Sequence, residues 1–570
     1  MKAYEAFADA LIAEGTEVVF GVLGGDNDAW VHYLDSKGVR YIAARHEQGA
    51  VGMADGYARA TGRPGVATVT LGPGLTNAIT PMTAARLSGS PLITIIGQAR
   101  DGDGESDRFG NMIIDQEPLL RGSIGTVMRL SGPERMAAEI QACFRHVRLG
   151  RGPTAFIARW DLLDRHDVPS DWHYTLAADA LPQRQVVMPD PARVQAIAAL
   201  VAKSERPVIL AGRGAIESDA RDVLVELADR IGAVLTTSLQ GRGWFDGEPF
   251  SVGASGGFAW SDTRTILERA DLVIGFGASF NHYTLDHGRL YQDAKLVQID
   301  SNSQRIADIA PIVDESVVGD AAATARALLA AIPARAKRWR SAELAAQIEA
   351  IDKWRGIDFQ DRPGSIDPRL VSKVCDDLLP RDKIVVIDIG HFMASAAIHM
   401  TVSHPLDLVL PWRLGAMGCA LPQAIGTAVA RPDRLTVLFI GDGGIMTTAT
   451  ELDTAVRAQV PLLVIVIDDD GYGAERYGCK VTGKSPHLIN FTNPDYAAVA
   501  RGFGMSAERI SDPERLREAL KRITQEGIDR PTLLDVKVHQ DVYTEEIFKA
   551  MTSFRGRDSA PVAEAAAAHA

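Results

Sequence analysis

The 570-residue chain lacks most of the features that mark secreted, membrane-spanning or metal-stapled proteins. Its four cysteines lie far apart and form no CxxC pair, which argues against both a disulfide framework and a cysteine-based zinc site. No apolar run approaches the roughly 20 residues that a membrane span requires. The amphipathic segment 1–15 lacks the apolar core of a secretion signal. We therefore expect a cytoplasmic protein.

Basic residues are also too scattered to form a surface for nucleic acids. The formal net charge is −13 and the pI is about 5.5, and no run of Lys and Arg interrupts this acidic balance. These values argue against nucleic acids and anionic membranes as partners. A hydrophobic fraction of 46% with 23% charged residues is ordinary for a globular enzyme, so we expect a small-molecule substrate.

Short apolar runs alternate with helix-length stretches, and this alternation predicts βα units around parallel sheets. The runs expected to form strands are 17–22, 41–44, 65–70, 91–97, 154–158, 207–212, 233–237, 271–277, 296–300, 383–390, 435–444, 461–470 and 531–538. They fall into three sets, so we predict an α/β fold of three domains, each a mostly parallel sheet flanked by helices. The predicted limits are 1–165 for the first domain, 166–189 for a linker, 190–335 for a Rossmann-like middle domain, 336–365 for a second linker, 366–545 for the third domain and 546–570 for a C-terminal segment with a disordered end.

The strongest chemical signal combines a Gly-Asp-Gly-Gly turn, 441–444, with three adjacent carboxylates. The turn follows one predicted strand, and Asp468, Asp469 and Asp470 follow the next. In a right-handed βαβ unit the carboxyl ends of both strands meet at one sheet edge, which would make Asp442 and Asp469 neighbours. Glycine N–H groups can approach a phosphate there, and carboxylates are the hard oxygen ligands that Mg²⁺ prefers. The sequence thus predicts a magnesium and phosphate site.

This arrangement resembles the cofactor motif of the thiamine-diphosphate-dependent enzyme superfamily, in which Gly-Asp-Gly is followed, at the next strand end, by two asparagines. The resemblance implies that Asp442 and Asp469 bind Mg²⁺ through their side chains and that Gly471 binds it through its carbonyl. It also implies contacts to the cofactor from Gly441, Gly443, Gly444 and Tyr472. Asp468 and Asp469 replace the usual asparagines and add negative charge, from which we expect an altered metal preference or pH dependence.

Further segments match the same family and imply the rest of the cofactor site. Glu47, in the sequence ARHEQ, stands where the family has the glutamate that contacts the far ring nitrogen and lets the cofactor's 4′-amino group act as a base. Asn77, in GPGLTNA, belongs to a turn that lines the site. In RLGAMG, Met417 would hold the cofactor bent, and the Gly415 carbonyl would accept a hydrogen bond from the 4′-amino group.

A diphosphate-holding turn is implied at DIGHFM, residues 388–393. Gly390 fits the family's pattern at this turn, whereas His391 and Phe392 are not the usual pair. We carry Gly390 and His391 as candidate cofactor contacts.

The helix expected after Glu47 has a face of small residues, which predicts close packing against another backbone. Its members are Gly49, Ala50, Gly52, Ala54 and Gly56. We interpret this face as part of a subunit interface, because the family builds each active site between two subunits. The resemblance implies a homodimer or a dimer of dimers.

The sequence leaves the reaction open between branches of this family. Acetolactate synthases place Phe-Gln in a first-domain loop and Met…Trp after the metal strand, whereas this chain has Asn111-Met112 and Ala474…Gly478 there. Pyruvate-decarboxylase-like enzymes place a catalytic glutamate at the position of Glu475. They also use two adjacent first-domain histidines, and this chain has no histidine between positions 46 and 146. Neither branch matches completely.

A third branch comprises the 2-hydroxyacyl-CoA lyases and oxalyl-CoA decarboxylases. Segments 275–288 and 297–300 resemble its nucleotide-lining turns, with Asp300 as a ribose ligand, which implies ADP, or alternatively FAD, in the middle domain. Ser279 stands where this branch often carries an arginine. The C-terminal segment offers three cations for CoA phosphates, namely Lys549, Arg555 and Arg557.

We predict a carbon–carbon lyase or carboligase that depends on thiamine diphosphate and Mg²⁺. The first hypothesis is cleavage of a 2-hydroxyacyl-CoA, with Glu475 as general acid/base and Gln116 as a polar contact to a substrate carbonyl or hydroxyl. The alternative is a 2-oxo acid decarboxylase or an acetolactate-synthase-type carboligase. A catalytically inactive cofactor-binding homologue would be a different class of protein, and the presence of Glu47 argues against it.

Overall fold

The computed structural model describes residues 1–99, 110–181, 186–306, 313–333, 339–360, 362–411, 413–528 and 530–543. Within these ranges the chain forms three six-stranded sheets whose paired strands run parallel. This confirms the predicted three-domain α/β fold, while the exact domain limits remain a prediction. None of the helices in these ranges has both the length and the apolarity to span a bilayer. The end of the C-terminal segment, with Lys549, Arg555 and Arg557, lies outside the described residues.

The interior strands of the first sheet are apolar and buried on both faces, as is usual for parallel sheets. Its strands are β1 (Val18–Gly21), β2 (Arg40–Ala43), β3 (Gly65–Val69), β4 (Leu92–Gln98), β5 (Thr126–Arg129) and β6 (Thr154–Arg159). They are ordered β2-β1-β3-β4-β6-β5. The accompanying helices are α1 (Ala3–Ala13), α2 (Asp28–Ser36), α3 (Glu47–Thr61), α4 (Pro73–Ser88), α5 (Gln116–Ser123), α6 (Met136–Arg148) and α7 (Trp160–Arg165).

The middle sheet has the strand order of a Rossmann-type sheet, with its first and fourth strands adjacent at the centre. Its strands are β7 (Pro207–Ala211), β8 (Val234–Thr237), β9 (Ser251–Ala254), β10 (Leu272–Phe276), β11 (Lys295–Asp300) and β12 (Glu315–Val318). They are ordered β12-β11-β10-β7-β8-β9. The accompanying helices are α8 (Pro191–Lys203), α9 (Arg213–Glu217), α10 (Arg221–Ile231), α11 (Ser261–Leu267), α12 (Ala321–Ala331) and α13 (Ala342–Glu349).

The third sheet repeats the topology of the first. Its strands are β13 (Ile384–Ile387), β14 (Leu408–Val409), β15 (Thr436–Gly441), β16 (Leu462–Asp468), β17 (Ser506–Ile510) and β18 (Thr532–Lys537). They are ordered β14-β13-β15-β16-β18-β17. The accompanying helices are α14 (Pro368–Leu378), α15 (Met393–His399), α16 (Ala420–Ala430), α17 (Asp442–Thr448), α18 (Glu451–Ala458), α19 (Gly473–Val481), α20 (Tyr496–Gly502) and α21 (Pro513–Glu526).

Helices α3 and α16 join the first and third domains through backbone contact. A Cβ atom at Gly56 would overlap the carbonyl of Gln423, and one at Gly426 would overlap the carbonyl of Met53. The small-residue face of α3 is therefore buried inside a single chain, and both helices belong to one hydrophobic core shared by the two domains. The close packing predicted for this face is present, but our interpretation of it as a subunit interface is wrong.

Candidate active site

The carboxyl edge of the third sheet brings the two predicted metal ligands together. Strands β15 and β16 pair in parallel with Gly441 beside Ile467, so both strands end at the same level. Asp442 opens α17 directly after β15, and Asp469 follows the last residue of β16. Continuous burial of β16 fixes this position, because every residue of the strand is enclosed. Two residues distant in sequence thus become neighbours.

Asp442 is a buried carboxylate that accepts hydrogen bonds only from neutral groups. Its Oδ1 accepts from the Gly443 N–H at 2.6 Å. Its Oδ2 accepts from the Gly471 N–H at 3.0 Å and from the Asn493 amide at 2.6 Å. Burial, followed by the nearby negative charge of Asp469, raises the pKa of Asp442 to about 7. Within the described residues Asp442 has no cationic partner, so its charge is left uncompensated.

The three adjacent carboxylates have three different sets of partners. The Oδ2 atom of Asp469 lies 2.8 Å from Nη1 of Arg476 and 3.1 Å from Nε2 of His391. Asp468, fully buried, accepts from Lys537 Nζ at 3.2 Å through Oδ1. Asp470 adopts a left-handed backbone with φ of 57° and pairs with the same Lys537 amine at 2.5 Å. Their mutual repulsion is thereby reduced by cations from other elements.

The donor atoms at this edge fit a hard divalent cation. In the part of the chain that the structure describes, no group of three or more His, Cys, Asp or Glu could hold a metal ion. The available set is instead the uncompensated carboxylate of Asp442, the Asp469 carboxylate and the backbone of Gly471. Among the described residues nothing donates a hydrogen bond to Oδ1 of Asp469. Oxygen-only donors with one uncompensated buried charge suit Mg²⁺.

The glycines of the 441–444 turn are required by side chains that pack directly on them. A Cβ atom at Gly443 would lie 2.5 Å from Cε1 of Tyr472, and one at Gly444 would overlap the carboxylate of Asp388. The Tyr472 ring is 41% exposed and meets Phe491 edge-on at 5.1 Å between ring centroids. Tyr472 therefore packs directly beside the turn and leaves part of its surface open to solvent.

Asp388 links two of the predicted cofactor segments and was missed from the sequence. Its carboxylate is fully buried and accepts the Gly418 N–H at 2.8 Å, and burial raises its pKa to about 7. It thus connects the turn of Gly390 and His391 to the loop that carries Met417. The signal in the sequence was an aspartate at a strand end, two positions before Gly390.

The loop before α16 presents its predicted cofactor residues at the surface of the single chain. Met417 is 38% exposed, which is unusual for a large apolar side chain. Gly415 has φ of 73°, and its surroundings within the described residues are open. Met417 and Gly415 are therefore accessible to a ligand.

On the first domain, the structure brings Glu47 and Asn77 together. Glu47 is the first residue of α3 and is half-buried. The Asn77 amide donates to Glu47 Oε2 at 2.9 Å. Behind them lies Glu451 from the third domain, which sequence reasoning missed. Its fully buried carboxylate accepts the backbone N–H groups of Arg45 and His46 at 3.1 and 3.0 Å.

The remaining predicted residues lie apart from these two groups or have other partners. The buried Gln116 amide accepts the Gly72 N–H and donates to the Gly97 carbonyl, both at 3.0 Å. Both ends of its amide thus hold first-domain backbone.

Asp300 ends β11 of the middle sheet and accepts the N–H of Asn302 at 2.9 Å. Glu475 is exposed in the first turn of α19.

Three protein-family models match successive parts of the chain. Residues 1–119 match "Thiamine pyrophosphate enzyme, N-terminal TPP binding domain". Residues 194–328 match the central domain of the same enzymes, and residues 388–536 match their C-terminal TPP binding domain. Each match falls on one of the three sheets described above.

Similar proteins are known from several organisms. The mitochondrial acetolactate synthase catalytic subunit of Aspergillus candidus is 30% identical, over 93% of this chain and 80% of that protein. A probable acetolactate synthase large subunit of Methanocaldococcus jannaschii is 29% identical, over 94% of this chain and 92% of that protein. The sulfoacetaldehyde acetyltransferase of Castellaniella defragrans is 28% identical, over 93% of this chain and 92% of that protein. The similarity thus extends through all three domains.

Proposed function

Because this chain belongs to the thiamine-diphosphate-dependent enzyme superfamily, we propose that it is a carboligase of the acetolactate-synthase type that uses a 2-oxo acid as donor. The observation that carries this proposal is the similarity to acetolactate synthases over nearly the whole chain. It favours our alternative hypothesis over cleavage of a 2-hydroxyacyl-CoA. That first hypothesis is supported by the resemblance of segments 275–288 and 297–300 and by the three C-terminal cations, which lie outside the described residues.

The residues at the carboxyl edge of the third sheet, together with Glu47 and Asn77 on the first domain, fit a diphosphate cofactor and its metal. When bound, thiamine diphosphate supplies a nucleophilic carbon that adds to a substrate carbonyl and then serves as an electron sink. Asp442, Asp469 and the Gly471 carbonyl would hold Mg²⁺, which in turn would hold the diphosphate. This assignment is supported by the uncompensated buried charge of Asp442 and the open oxygen of Asp469.

Glu47 would orient and protonate the far ring of the cofactor. Its hydrogen bond from Asn77 fixes one carboxylate oxygen and leaves the other for the ring nitrogen. Met417 would hold the cofactor bent. The Gly415 carbonyl would accept a hydrogen bond from the cofactor's amino group. Glu475 would move a proton at the substrate oxygen or carbon. Gln116 would hold the Gly72 turn in position, because both ends of its amide already bind backbone.

A second subunit would cover the exposed residues of the site. Several apolar side chains near it are exposed in the single chain, namely Leu414, Met417, Met446, Tyr472 and Leu488. Burying such residues against a second copy would exclude water from the reaction. We therefore propose a homodimer or dimer of dimers in the cytoplasm, and sedimentation of the purified protein tests the assembly.

The chain departs from acetolactate synthases at residues that would contact the acceptor, which is the substrate that takes up the acyl unit. Asn111-Met112 and Ala474…Gly478 replace the residues that we associate with the pyruvate pocket. One similar protein is named a sulfoacetaldehyde acetyltransferase, so the relatives are not all acetolactate synthases. We propose that pyruvate or a close 2-oxo acid is the donor and that the acceptor differs from pyruvate. ADP or FAD in the middle domain, with Asp300 as a ligand, remains part of the proposal.

Parallel assays of one preparation test this function. Purified protein with thiamine diphosphate and Mg²⁺ is given pyruvate alone, pyruvate with neutral or anionic aldehydes and ketones, or a 2-hydroxyacyl-CoA. Mass spectrometry of the products distinguishes acyl transfer, decarboxylation and thioester cleavage. We expect loss of pyruvate with release of CO₂ and transfer of the acyl unit to an acceptor. Turnover of the thioester without turnover of any 2-oxo acid would refute the proposal.

A further inference from the structure

Arg476 is a buried cation beside the candidate metal site. It lies in α19 with only 4% of its surface exposed. Its Nη1 donates to Asp469 Oδ2 at 2.8 Å, and its Nη2 donates to the Asp469 carbonyl at 2.9 Å. Its Nε donates to Asn490 Oδ1 at 2.9 Å, and Nη1 also reaches the Gln540 carbonyl at 3.3 Å. Four acceptors thus fix one guanidinium against the loop that follows β16.

The geometry of this ion pair uses only half of the Asp469 carboxylate. Arg476 and His391 both approach Oδ2. Oδ1 receives no hydrogen bond from any described residue. Asp469 can therefore present one oxygen to a cation while its formal charge is cancelled on the other side. A neutral amide side chain at this position would offer the same number of oxygens with the same net charge.

The negative charge of Asp468, the other aspartate that stands where the family has an asparagine, is also balanced by nearby cations. Asp468 is fully buried and accepts from Lys537 Nζ at 3.2 Å and from the Asn493 amide at 2.6 Å. Arg509 lies 3.5 Å away on the other oxygen. Asp469 is thus paired with Arg476, while Asp468 is paired with Arg509 and with Lys537, an amine that it shares with Asp470. Of the two aspartates that replace asparagines, Asp469 is the proposed metal ligand, so its ion pair with Arg476 bears directly on the metal site.

We propose that Asp469 and Arg476 act together as a neutral ligand pair, so that the metal site keeps the net charge it would have with an amide at position 469. This inference rests on the proposed function, because it assumes that the site holds a divalent cation together with a diphosphate. Arg476 is a positioning residue, since it acts through Asp469. The pair keeps the site attractive to Mg²⁺ without excess negative charge that would repel the diphosphate.

Removal of the guanidinium should then change the affinity for the metal ion and the affinity for the diphosphate in opposite directions. In Arg476→Met the full charge of Asp469 faces the site, so a metal ion alone binds more tightly and the diphosphate less tightly. Each change should be about tenfold or more, because a unit charge several ångströms away acts in a partly buried environment. Asp469→Asn leaves an unpaired guanidinium and should weaken binding of the metal alone by a similar factor. The double variant Asp469→Asn/Arg476→Met restores neutrality and should return both affinities towards wild type.

The experiment measures binding without substrate. Mn²⁺ binding to the metal-free full-length protein is followed by electron paramagnetic resonance, with Mg²⁺ as competitor. Thiamine diphosphate binding is followed by calorimetry at saturating Mg²⁺. Arg476→Lys, which keeps the charge, should stay close to wild type, and thermal melting shows whether each variant is folded. If Arg476→Met does not fold, Asp469→Asn and the double variant still decide the question.

The proposal is overturned if folded Arg476→Met binds Mn²⁺ no more tightly than wild type, or if Asp469→Asn binds it equally well. Arg501→Met serves as the control for loss of a positive charge, because Arg501 is exposed and its contacts, Asp495 at 3.8 Å and the Ala507 carbonyl at 3.0 Å, include no proposed metal ligand. Failure of the proposed reaction leaves these binding results intact. Failure of wild-type protein to bind thiamine diphosphate at all would refute the proposed function itself.

Discussion

Glu451 Oε1 accepts the backbone N–H of His46 at 3.0 Å, so a carboxylate of the third domain holds the residue that precedes Glu47. The same carboxylate accepts the N–H of Arg45 at 3.1 Å and the hydroxyl of Thr454 at 2.6 Å. Its burial raises the pKa of Glu451 above the ordinary value. The start of α3, and with it the position of Glu47, is therefore set by contact between two domains rather than by the first domain alone.

Replacement of Glu451 should weaken the contact between these two domains and lower the stability of the protein. Glu451→Ala leaves the backbone N–H groups of Arg45 and His46, which are part-buried in the contact between the domains, without this acceptor, and this should lower the free energy of unfolding by about 1–3 kcal/mol. Glu451→Gln keeps an acceptor oxygen and should cost roughly 1 kcal/mol. Urea unfolding measures both values. An alanine variant as stable as wild type would show that water replaces the carboxylate without cost.

Glu47→Gln should abolish turnover while leaving the fold intact. The glutamine keeps the shape and the hydrogen bond from Asn77 but cannot exchange a proton with the cofactor. We expect kcat to fall by about 10²–10⁴. The free energy of unfolding should change by less than about 0.5 kcal/mol, because Glu47 is only half-buried.

A matched variant separates chemistry from positioning at the same site. Asn77→Ala removes only the hydrogen bond to Glu47, so its effect on kcat should be about tenfold, the value of one orienting hydrogen bond to a charged group. Steady-state kinetics and calorimetric binding of thiamine diphosphate check both variants. Substantial turnover by Glu47→Gln would refute the proposed role of Glu47.

Glu475→Gln should affect turnover more than cofactor binding. Glu475 is exposed in the first turn of α19, so its replacement should leave the fold intact. If it transfers a proton, kcat should fall by about 10²–10³. Affinity for thiamine diphosphate should change less than about threefold, because the proposed diphosphate ligands are untouched. Unchanged kcat would exclude Glu475 as the acid/base group.

The strands that sequence analysis missed share one physical property. All five lie at sheet edges, namely β5, β9, β12, β14 and β17. In β5 every residue is only partly buried, and β17 carries exposed polar positions. Edge strands pair with a neighbour on one side only, so most of them lack a continuous apolar run; the edge strand β2 has such a run and was found. Interior strands such as β16 are enclosed throughout and were found.

The same reasoning explains which site residues could be found from the sequence. Asp442 and Asp469 were predicted as neighbours because adjacent parallel strands end at one edge, which is a local rule. Arg476, Glu451 and Asp388 were missed because most of the residues that they contact come from other loops or another domain. Hydrophobic patterns place elements but do not specify which side chains meet between domains. The subunit-interface interpretation of α3 failed for this reason.

Gly56→Ala should test the packing of α3 on α16. Its Cβ would overlap the carbonyl of Gln423, and backbone can move only at a cost. We expect the free energy of unfolding to fall by about 1–3 kcal/mol. Gly122→Ala is the control, because Gly122 lies in helix α5 and a Cβ there meets nothing within 4 Å. That variant should be neutral or more stable by up to about 1 kcal/mol. Equal stabilities of both variants would mean that α3 and α16 separate easily.

His399 should make the protein less stable in acid. Its ring is buried, stacks on Trp354 at 4.3 Å between ring centroids, and lies 3.0 Å from the Ser395 carbonyl through Nδ1. Burial lowers its pKa from 6.5 to about 4. As the pH falls from 6.5 to 4, the unfolded chain takes up a proton that the folded protein refuses. Stability that is fully present above pH 6.5 is therefore lost progressively, by roughly 3 kcal/mol at most.

His399→Gln removes this titration, so the difference in unfolding free energy between wild type and variant should shrink as the pH is lowered from 7 to 4. Urea unfolding at several pH values measures the difference, and His487→Gln, at an exposed histidine, is the control for loss of an imidazole. A constant difference between wild type and His399→Gln across this range would mean that the folded protein accepts the proton at His399. The stacked ring would then have to leave Trp354 or gain access to water.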